Sequence, residues 1–335
     1  GLLLQANSVR AVLRQYGNWL PLFIVWVPVA FILSMSFSEL IPYIAGPKVP
    51  LLNLKPGDMA VHLTGVSSFL ALGLYRSFRQ EAGSPAVLRE NVLAILCLVG
   101  ILMVASFSRG ALVTFLLGLL ALAIARPIRH GMKLLAFCVI LVVSLFLFRV
   151  ELDTGGSRRI SLTQLADNTR SILGGQSDIS LEGTRRWRLA WWNRVVGYTF
   201  GGEYFWTGKG YGINLADSDG FQTYSDHSLR SPHNGHLTIL ARSGVPGLVL
   251  WIVLQVSFAV MLLLAYVRAR KLREDLWERV NLWIMIYWLA FMTNSAFDVF
   301  LEGPQGGIWF WSLFGFGIAA LEAQRNMPVE DKAHA

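Results

Sequence analysis

Two segments of the chain place arginine where it could bind an anion. Arg109 is the only charged residue between Val92 and Ala125, and it lies in a Ser-Arg-Gly turn. The second segment is the cluster Arg185-Arg186-Trp187-Arg188. Guanidinium groups bind phosphate oxygens in pairs and indoles stack on sugar or lipid, so both segments are candidates for a diphosphate clamp. The alternatives are a turn residue at the membrane surface and a basic helix on anionic lipid.

A histidine-bearing turn is the third candidate. Pro232 and Gly235 fix a turn that presents His233 and Asn234 at the entrance of an apolar run. A histidine there is suited to general-base work and the asparagine to a substrate contact, although a purely interfacial histidine is also possible. His236 follows at the spacing i+3, but there is no HExxH motif and no third ligand at an obvious spacing, so we expect no metal.

Carboxylates give weaker signals. Asp217-Ser218-Asp219 matches the D-x-D pattern that holds a divalent ion in many glycosyltransferases, but its position between Asn214 and Gly220 favours a solvated turn. Asp298 and Glu302 flank the last predicted external turn. They could face the same pocket as the histidine, or they could only solvate a helix end.

Composition indicates that a membrane protein carries these segments. Hydrophobic residues make up 54% of the 335 residues, charged residues 15%, and the mean hydropathy is +0.50. A soluble domain carries roughly 25% charged residues, so much of the chain is expected to lie in lipid. The net charge of +8 could indicate nucleic-acid binding, but the basic residues lie mostly in short loops between apolar runs. That placement indicates membrane topology, and no nucleic-acid partner is expected.

The apolar runs predict an all-α, polytopic transmembrane helix bundle with a partly helical external loop domain. One helix from Val92 to Ala125 would be roughly 50 Å long against a ~30 Å hydrocarbon core, so a turn is predicted at Ser108-Arg109-Gly110. Eight spans follow: Leu20 to Phe37, Met59 to Tyr75, Val92 to Phe107, Ala111 to Ala125, Leu134 to Phe148, Leu237 to Val267, Leu282 to Phe297 and Ile308 to Leu321.

The basic residues of the short loops predict the orientation. One set of loops is rich in lysine and arginine, whereas the other short loops carry only Lys48, Lys55 and Arg109, so the rich side is expected to be cytoplasmic. The predicted domains are five spans over 1–149, a periplasmic loop domain over 150–236 with a helix over 185–198, three spans over 237–322, and a cytoplasmic tail over 323–335. Earlier spans are expected to precede this sequence.

Four motifs, in order, resemble the O-antigen ligase and O-antigen polymerase superfamily of bacterial membrane glycan transferases. Together they cover roughly residues 92–264, about half of the chain. They are Ser108-Arg109-Gly110, the segment Arg185 to Trp192, Gly208-Lys209-Gly210-Tyr211-Gly212, and Pro232-His233-Asn234-Gly235-His236-Leu237 leading into Gly244-Val245-Pro246-Gly247.

The resemblance implies a glycosyltransferase whose donor is a glycan on undecaprenyl diphosphate. Arg109 and one arginine among Arg185, Arg186 and Arg188 would contact the diphosphate. In the family this second arginine precedes a tryptophan by four positions, as Arg188 precedes Trp192. His233 matches the external-loop histidine of the family. Members of the family have about a dozen spans, which again suggests that earlier spans are missing here.

The chemistry that this implies needs neither metal nor cofactor. Arginines can neutralise the departing diphosphate. His233 would take the proton of the acceptor hydroxyl, held unprotonated by Arg230 and Arg242, and direct displacement would invert the anomeric centre. The expected acceptor is the lipid A-core of lipopolysaccharide or a related glycan, at a site that faces the periplasm from the bacterial inner membrane.

Other functions remain open at the level of sequence. A polymerase that extends lipid-linked O-antigen or exopolysaccharide repeats would share the same arginines and histidine. A protein-directed oligosaccharyltransferase is a further enzymatic alternative. A non-catalytic transporter of lipid-linked glycans would be expected to carry charged residues near mid-membrane on several spans, and the sequence has almost none.

Overall fold

The computed structural model of this chain is predominantly helical, and the predicted all-α polytopic bundle is confirmed. It describes residues 6–44, 49–50, 55–79, 84–126, 151–152, 160–161, 179–299 and 301–326. Two pairs of two-residue antiparallel strands are present, β1 (Tyr43–Ile44) with β2 (Val49–Pro50) and β3 (Glu151–Leu152) with β4 (Ile160–Ser161). The helices are α1 (Ala6–Ser36), α2 (Pro56–Ala71), α3 (Leu74–Arg79), α4 (Ser84–Phe107), α5 (Arg109–Ala125), α6 (Ile179–Phe200), α7 (Leu215–Asp219), α8 (Gly235–Leu272), α9 (Asp275–Ser295) and α10 (Pro304–Arg325).

Seven of the eight predicted spans coincide with described helices, and the span predicted over 134–148 lies outside the described residues. Four helical stretches in the described part of the chain are long and apolar enough to cross a membrane. They are Ala6–Ser34, Leu88–Phe107, Gly235–Leu272 and Gly306–Arg325, and α5 is a shorter apolar helix. One predicted boundary is wrong, because α2 ends at Ala71 and not at Tyr75. Gly73, at a φ of 68°, reverses the chain before α3.

The chain divides into two compact units, and the first comprises residues 1–174, 262–291 and 313–335. In this unit α2 packs against α1, α4 and α5. Gly65 of α2 has to be small, because a Cβ there would lie 2.6 Å from the ring of Tyr287. The indole of Trp283 donates to the carbonyl of Gly65 at 2.9 Å, and Nδ1 of His62 lies 2.6 Å from the Tyr287 hydroxyl. These two hydrogen bonds join α2 to α9 within the unit.

The predicted turn between the fourth and fifth helices is confirmed. Ser108 leaves the helical conformation, with φ −144° and ψ 122°, and its hydroxyl accepts the N–H of Ala111 at 3.2 Å as an N-cap. Helix α5 begins at Arg109, two residues before the predicted start at Ala111. Arg109 therefore lies in the first turn of α5 in this unit. Its side chain is half-buried.

The second unit comprises residues 175–261 and 292–312. Its core is centred on Trp191 of α6, which is fully buried and stacks on Phe221 with ring centroids 5.2 Å apart. Buried positions recur along α6 at Trp191, Val195 and Thr199, so the helix buries one face. The helix predicted over 185–198 is confirmed within α6.

Helix α8 is interrupted near its start. Gly244 has φ 69° and ψ −171°, which breaks the helix between Ser243 and Val245. A preceding loop forms hydrogen bonds with the backbone groups of α8 at this break. Lys209 and Gly210 donate their N–H groups to the carbonyls of Ala241 and Arg242 at 2.7 and 2.9 Å. The N–H of Val245 is bonded to the carbonyl of Phe205 at 2.8 Å. The apolar run from Leu237 therefore contains a short helical segment and then a longer one.

Candidate functional site

The residues before α8 form a tight turn, here called the His233 turn (Ser231 to Gly235). His233 has a φ of 52°, in the left-handed region that few residues other than glycine adopt. Its Nδ1 lies 3.6 Å from Oδ1 of Asp298, which follows α9, and the side chains are 33% and 23% exposed. Both groups are therefore accessible to a substrate as well as close to each other. Strained backbone of this kind occurs often at functional positions.

Hydrogen bonds from both sides hold the His233 turn. Trp192 of α6 donates its indole N–H to the carbonyl of Pro232 at 2.7 Å. Asn234 caps α8, because its side-chain oxygen accepts the N–H of Leu237 at 3.0 Å and its carbonyl accepts from the hydroxyl of Thr238 at 2.8 Å. The predicted substrate contact of Asn234 has to coexist with this capping role, and it stays a prediction.

Helix α6 brings an arginine and a tryptophan to the same place. Arg188 is half-buried, and its Nη1 donates to the carbonyl of Phe297 at 3.2 Å, one residue before Asp298. The ring of Trp187 has its centroid 6.2 Å from that of His233. Histidine, carboxylate, guanidinium and indole thus converge within the second unit.

The other two arginines of the predicted cluster have a different environment. Arg185 and Arg186 are exposed, whereas Arg188 lies on the side of α6 that also carries Trp191 and Trp192. This burial pattern favours Arg188 among the three as the residue of the predicted clamp. The contact of any of them with diphosphate stays a prediction.

His236, which the sequence presents beside His233, has a structural role. Its Nδ1 accepts the indole N–H of Trp251 at 3.1 Å, so its Nε2 must carry the proton that is donated to the carbonyl of Met292, also at 3.1 Å. Both ring nitrogens are therefore occupied by hydrogen bonds. Among the described residues, no group of three or more histidine, cysteine, aspartate or glutamate side chains could hold a metal ion.

The charged group that faces His233 differs from the predicted one. The sequence suggested that Arg230 and Arg242 would act on this histidine, but Arg242 is only 4% exposed and is occupied elsewhere. Its Nε lies 3.2 Å from Oε1 of Glu302, and its Nη1 donates to three backbone carbonyls of residues 210–213. The structure instead places the carboxylate of Asp298 beside His233.

A second ionic cluster, the Lys209–Asp219 cluster, lies in the interior of the same unit. Lys209 Nζ is 2.5 Å from Oδ1 of Asp219, and the two side chains are 9% and 0% exposed. The other oxygen of Asp219 accepts from the indole of Trp191 at 2.7 Å and from the hydroxyl of Tyr198 at 3.4 Å. Burial, with the neighbouring carboxylate of Asp219, raises the pKa of the Tyr198 phenol above its ordinary range. The phenol therefore remains a hydrogen-bond donor at physiological pH.

The predicted solvated turn at Asp217-Ser218-Asp219 is wrong for Asp219, which is buried in that cluster. Asp217 is directed elsewhere: its Oδ1 lies 2.8 Å from Nδ1 of His227 and 2.9 Å from Nε2 of Gln222. The hydrogen bond from His227, with that from Gln222, lowers the pKa of the Asp217 carboxyl. The two carboxylates thus have separate partners and do not form the pair that a D-x-D metal site needs.

Arg109 belongs to the first unit, and the other candidate residues belong to the second. Its position directly after the Ser108 cap, in the first turn of an apolar helix, places a cation among N–H groups that themselves favour an anion. That arrangement is suited to a phosphate group. The contact of Arg109 with a diphosphate stays a prediction from the sequence.

The long apolar helices indicate a multi-pass membrane protein, and the second unit carries a polar, partly exposed candidate site. A family model described as O-antigen ligase matches residues 93–252, just under half of the chain. The match supports membership of the O-antigen ligase and polymerase superfamily, and the predicted resemblance is confirmed. It also supports a ligase- or polymerase-type enzyme with lipid-linked glycan substrates in general. No curated protein sequence matches the chain.

Two features of the site were not assigned from the sequence. Asp298 was only one of two carboxylates that could face the pocket, and nothing in the sequence joins it to His233 across 65 positions. The burial of Asp219 was missed because its partner Lys209 lies in a glycine-rich segment that reads as an exposed turn. The aromatic residues around it, Tyr198 and Tyr204, were the available signal, since both rings lie within 5.3 Å of the Lys209 ammonium.

Proposed function

We propose that the chain is an O-antigen ligase-type glycosyltransferase that moves a glycan from undecaprenyl diphosphate to a hydroxyl of lipid A-core or a related acceptor. The observation that carries the proposal is the convergence of His233, Asp298 and Arg188 in one accessible place. A base, an orienting carboxylate and a guanidinium are the groups that this transfer requires.

His233 acts as the general base in this proposal. The acceptor oxygen attacks the anomeric carbon, its proton passes to Nε2 of His233, and the bond between that carbon and the diphosphate oxygen breaks. A single displacement of this kind inverts the anomeric centre. The undecaprenyl diphosphate leaves as an anion, so its departure depends on neutralisation of charge more than on a strong acid.

Asp298 orients the imidazole. A carboxylate beside Nδ1 favours the tautomer that carries its proton there, which leaves the Nε2 lone pair for the acceptor hydroxyl. At 3.6 Å the two groups are in contact but too far apart for a hydrogen bond. Catalytic contacts commonly tighten when the substrate binds, so a closer approach is expected in the complex.

Arg188 stabilises the departing diphosphate, and Arg109 is proposed as a second cation for it. A guanidinium presents paired N–H donors that match phosphate oxygens, and it remains charged at any physiological pH. With these cations no divalent metal is required. Trp187 offers an aromatic face beside His233 on which a sugar ring of the donor or acceptor can stack.

The membrane position follows from the basic loops. We infer that the chain spans the bacterial inner membrane with residues 150–236 in the periplasm. With Cys97 and Cys138 replaced by alanine, a cysteine at the exposed position Ser225 should react with an impermeant thiol reagent in cells with a permeabilised outer membrane. A cysteine at Lys271, also exposed but in a predicted cytoplasmic loop, should not react. The reverse pattern would overturn this topology.

A reconstituted assay with purified lipid-linked glycan separates the candidate functions. A ligase transfers the glycan to lipid A-core, whereas a polymerase transfers it to a second lipid-linked unit. Product on a peptide acceptor would indicate a protein-directed transferase. The proposal fails if the wild-type protein forms no product with any acceptor but moves the donor across the bilayer, as a transporter would.

A further inference from the structure

Residues 208–213, here called the Tyr211 loop, have an unusually constrained backbone. The buried guanidinium of Arg242 donates to the carbonyls of Gly210, Tyr211 and Ile213 at 3.3, 3.2 and 3.0 Å. At the start of the loop, Lys209 is held by Asp219. The side chain of Arg242 therefore holds three backbone carbonyls of the loop, which leaves the loop little freedom.

The ring of Tyr211 projects from this fixed backbone into solvent. The side chain is 66% exposed, and the guanidinium carbon of Arg242 lies over the ring at 5.8 Å from its centroid. At the next residue, Gly212, an added Cβ would meet nothing within 4 Å, so the space beside the ring is open. A large aromatic ring on a rigid support loses little conformational entropy on binding, which is the property of a preorganised contact.

The loop is connected to the candidate site through two carboxylates. Arg242, which fixes the loop, contacts Glu302, and Glu302 lies four residues after Asp298, the contact of His233. Along α8, Arg242 is seven residues beyond Gly235, or ~10 Å of helix. Tyr211 and His233 thus belong to the same compact unit, and Arg242 joins the Tyr211 loop to the chain segment that carries Asp298.

We propose that Tyr211 stacks on a sugar ring of the glycan chain, several units away from the reacting carbon. The negative face of an aromatic ring attracts the C–H groups of a pyranose, and the polar surroundings of the Tyr211 loop suit the sugar hydroxyls. The glycan can belong to the donor or to the acceptor, and in both cases the ligand is a hexopyranose ring. This inference rests on the proposed function, and it adds a subsite that selects long glycans over short ones.

The test compares substrates that differ only in glycan length. Transfer is measured with the full-length protein, using lipid-linked donors that carry one sugar or a complete repeat, and separately with short and long acceptors. The variants are Tyr211→Ala and Tyr211→Phe. Tyr224→Ala is the matched control, because Tyr224 is similarly exposed at 57% but lies on another loop. The melting temperature of each variant is recorded alongside.

Tyr211→Ala should raise KM roughly threefold to tenfold for one long substrate, donor or acceptor, and leave kcat and the short substrates unchanged. Tyr211→Phe and Tyr224→Ala should match the wild type. An equal change for short and long substrates would mean that the ring contacts the shared lipid or diphosphate portion, and would overturn the inference. So would no change at all, or a fall in melting temperature that accounts for the loss.

Direct binding of the free oligosaccharide separates this inference from the proposed function. His233→Ala should bind the lipid-free glycan as the wild type does, whereas Tyr211→Ala should bind it more weakly by the same threefold to tenfold. If the wild type transfers nothing, the proposed function fails, and oligosaccharide binding that still depends on Tyr211 upholds the subsite. If transfer occurs but glycan binding is the same with and without Tyr211, the subsite is wrong.

Discussion

The second unit contains two clusters built from similar residues along α6, and their burial separates them. In the His233 turn, a histidine faces Asp298 with both side chains between 23% and 33% exposed. In the Lys209–Asp219 cluster, a lysine faces Asp219 with both side chains at 9% or less. Helix α6 contributes Trp187 and Arg188 to the first, and one turn later it contributes Trp191 to the second.

The difference shows which carboxylate can do chemistry. Asp219 already has an ammonium, an indole and a hydroxyl around its two oxygens, and its side chain is fully buried, so it is closed to a substrate or a metal. Oδ1 of Asp298 accepts the N–H of Val299 and also lies close to Nδ1 of His233. The Asp298 side chain remains partly exposed. Sequence alone did not separate these two aspartates, since both gave only weak signals.

The largest expected effect is at the accessible cluster. His233→Ala should lower turnover about 10²- to 10⁴-fold while donor affinity changes little, because a general base acts mainly in the transition state. Asp298→Asn should give a smaller fall in turnover, since it removes only the orienting charge. Transfer and donor binding are measured separately, with His227→Ala as the control on an exposed histidine. Loss of donor binding in His233→Ala would reassign this residue to binding or structure.

At the buried cluster the expected loss is in stability. Lys209→Met leaves the Asp219 carboxylate buried without its cation, which should cost about 3–5 kcal/mol of folding free energy. The double variant Lys209→Met/Asp219→Leu should recover part of that loss, because no charge remains in the interior. The check is the melting temperature of the detergent-solubilised protein. If Lys209→Met were as stable as the wild type, the two clusters would not differ in burial.

The next effect concerns Arg188, the arginine of the accessible cluster. Arg188→Ala should weaken donor binding by about 1.5–3 kcal/mol, or roughly tenfold to over a hundredfold. Arg188→Lys should be impaired less, because it keeps the charge but not the paired donors. Arg185→Ala and Arg186→Ala, at exposed positions on the same helix, are the matched controls. If Arg185→Ala or Arg186→Ala reproduces the loss and Arg188→Ala does not, the burial pattern has misidentified the clamp.

The same pair of substitutions at Arg109 tests the prediction made there from sequence alone. Arg109→Ala should impair donor binding by a similar amount, and Arg109→Lys by less. The measurement is donor affinity for the purified variants. Wild-type binding and transfer in Arg109→Ala would leave this residue as a turn residue at the membrane surface.

The smallest expected effect is at the exposed carboxylate of the D-x-D motif. Asp217→Asn should change melting temperature and transfer very little, because Asp217 and its partner His227 are exposed. EDTA should leave the transfer rate unchanged. Activity that EDTA abolishes and magnesium or manganese restores would instead make Asp217 a metal ligand and would remove the arginine-based mechanism.

The sequence was sufficient where a single local pattern decides the structure. The tryptophans at 187, 191 and 192 predicted an amphipathic helix, because helical spacing alone brings them together. The interfacial position of that helix stays a prediction. The turn at Ser108 followed from the length of the apolar stretch compared with a bilayer. Both predictions depend on one continuous segment of the chain and on no distant partner.

It was insufficient where the partner is distant in the chain. His233 and His236 are indistinguishable by local pattern, and their roles separate only because His236 meets Met292, 56 positions away. The break at Gly244 was likewise hidden, since a glycine within an apolar run can continue a helix. It is the loop at Phe205 to Gly210 that occupies the freed backbone groups and so stabilises the break.

The contact between Gly208 and Gly244 has a consequence for how this protein can vary. Both glycines have positive φ, and a Cβ on either would overlap the backbone of the other segment. The junction is made by main-chain N–H and carbonyl groups, which every residue other than proline supplies. Apart from Lys209, which Asp219 holds, the side chains of the loop can therefore vary without loosening its attachment. The proposed subsite at Tyr211 can thus change its glycan preference by point substitution, provided that these two positions remain glycine.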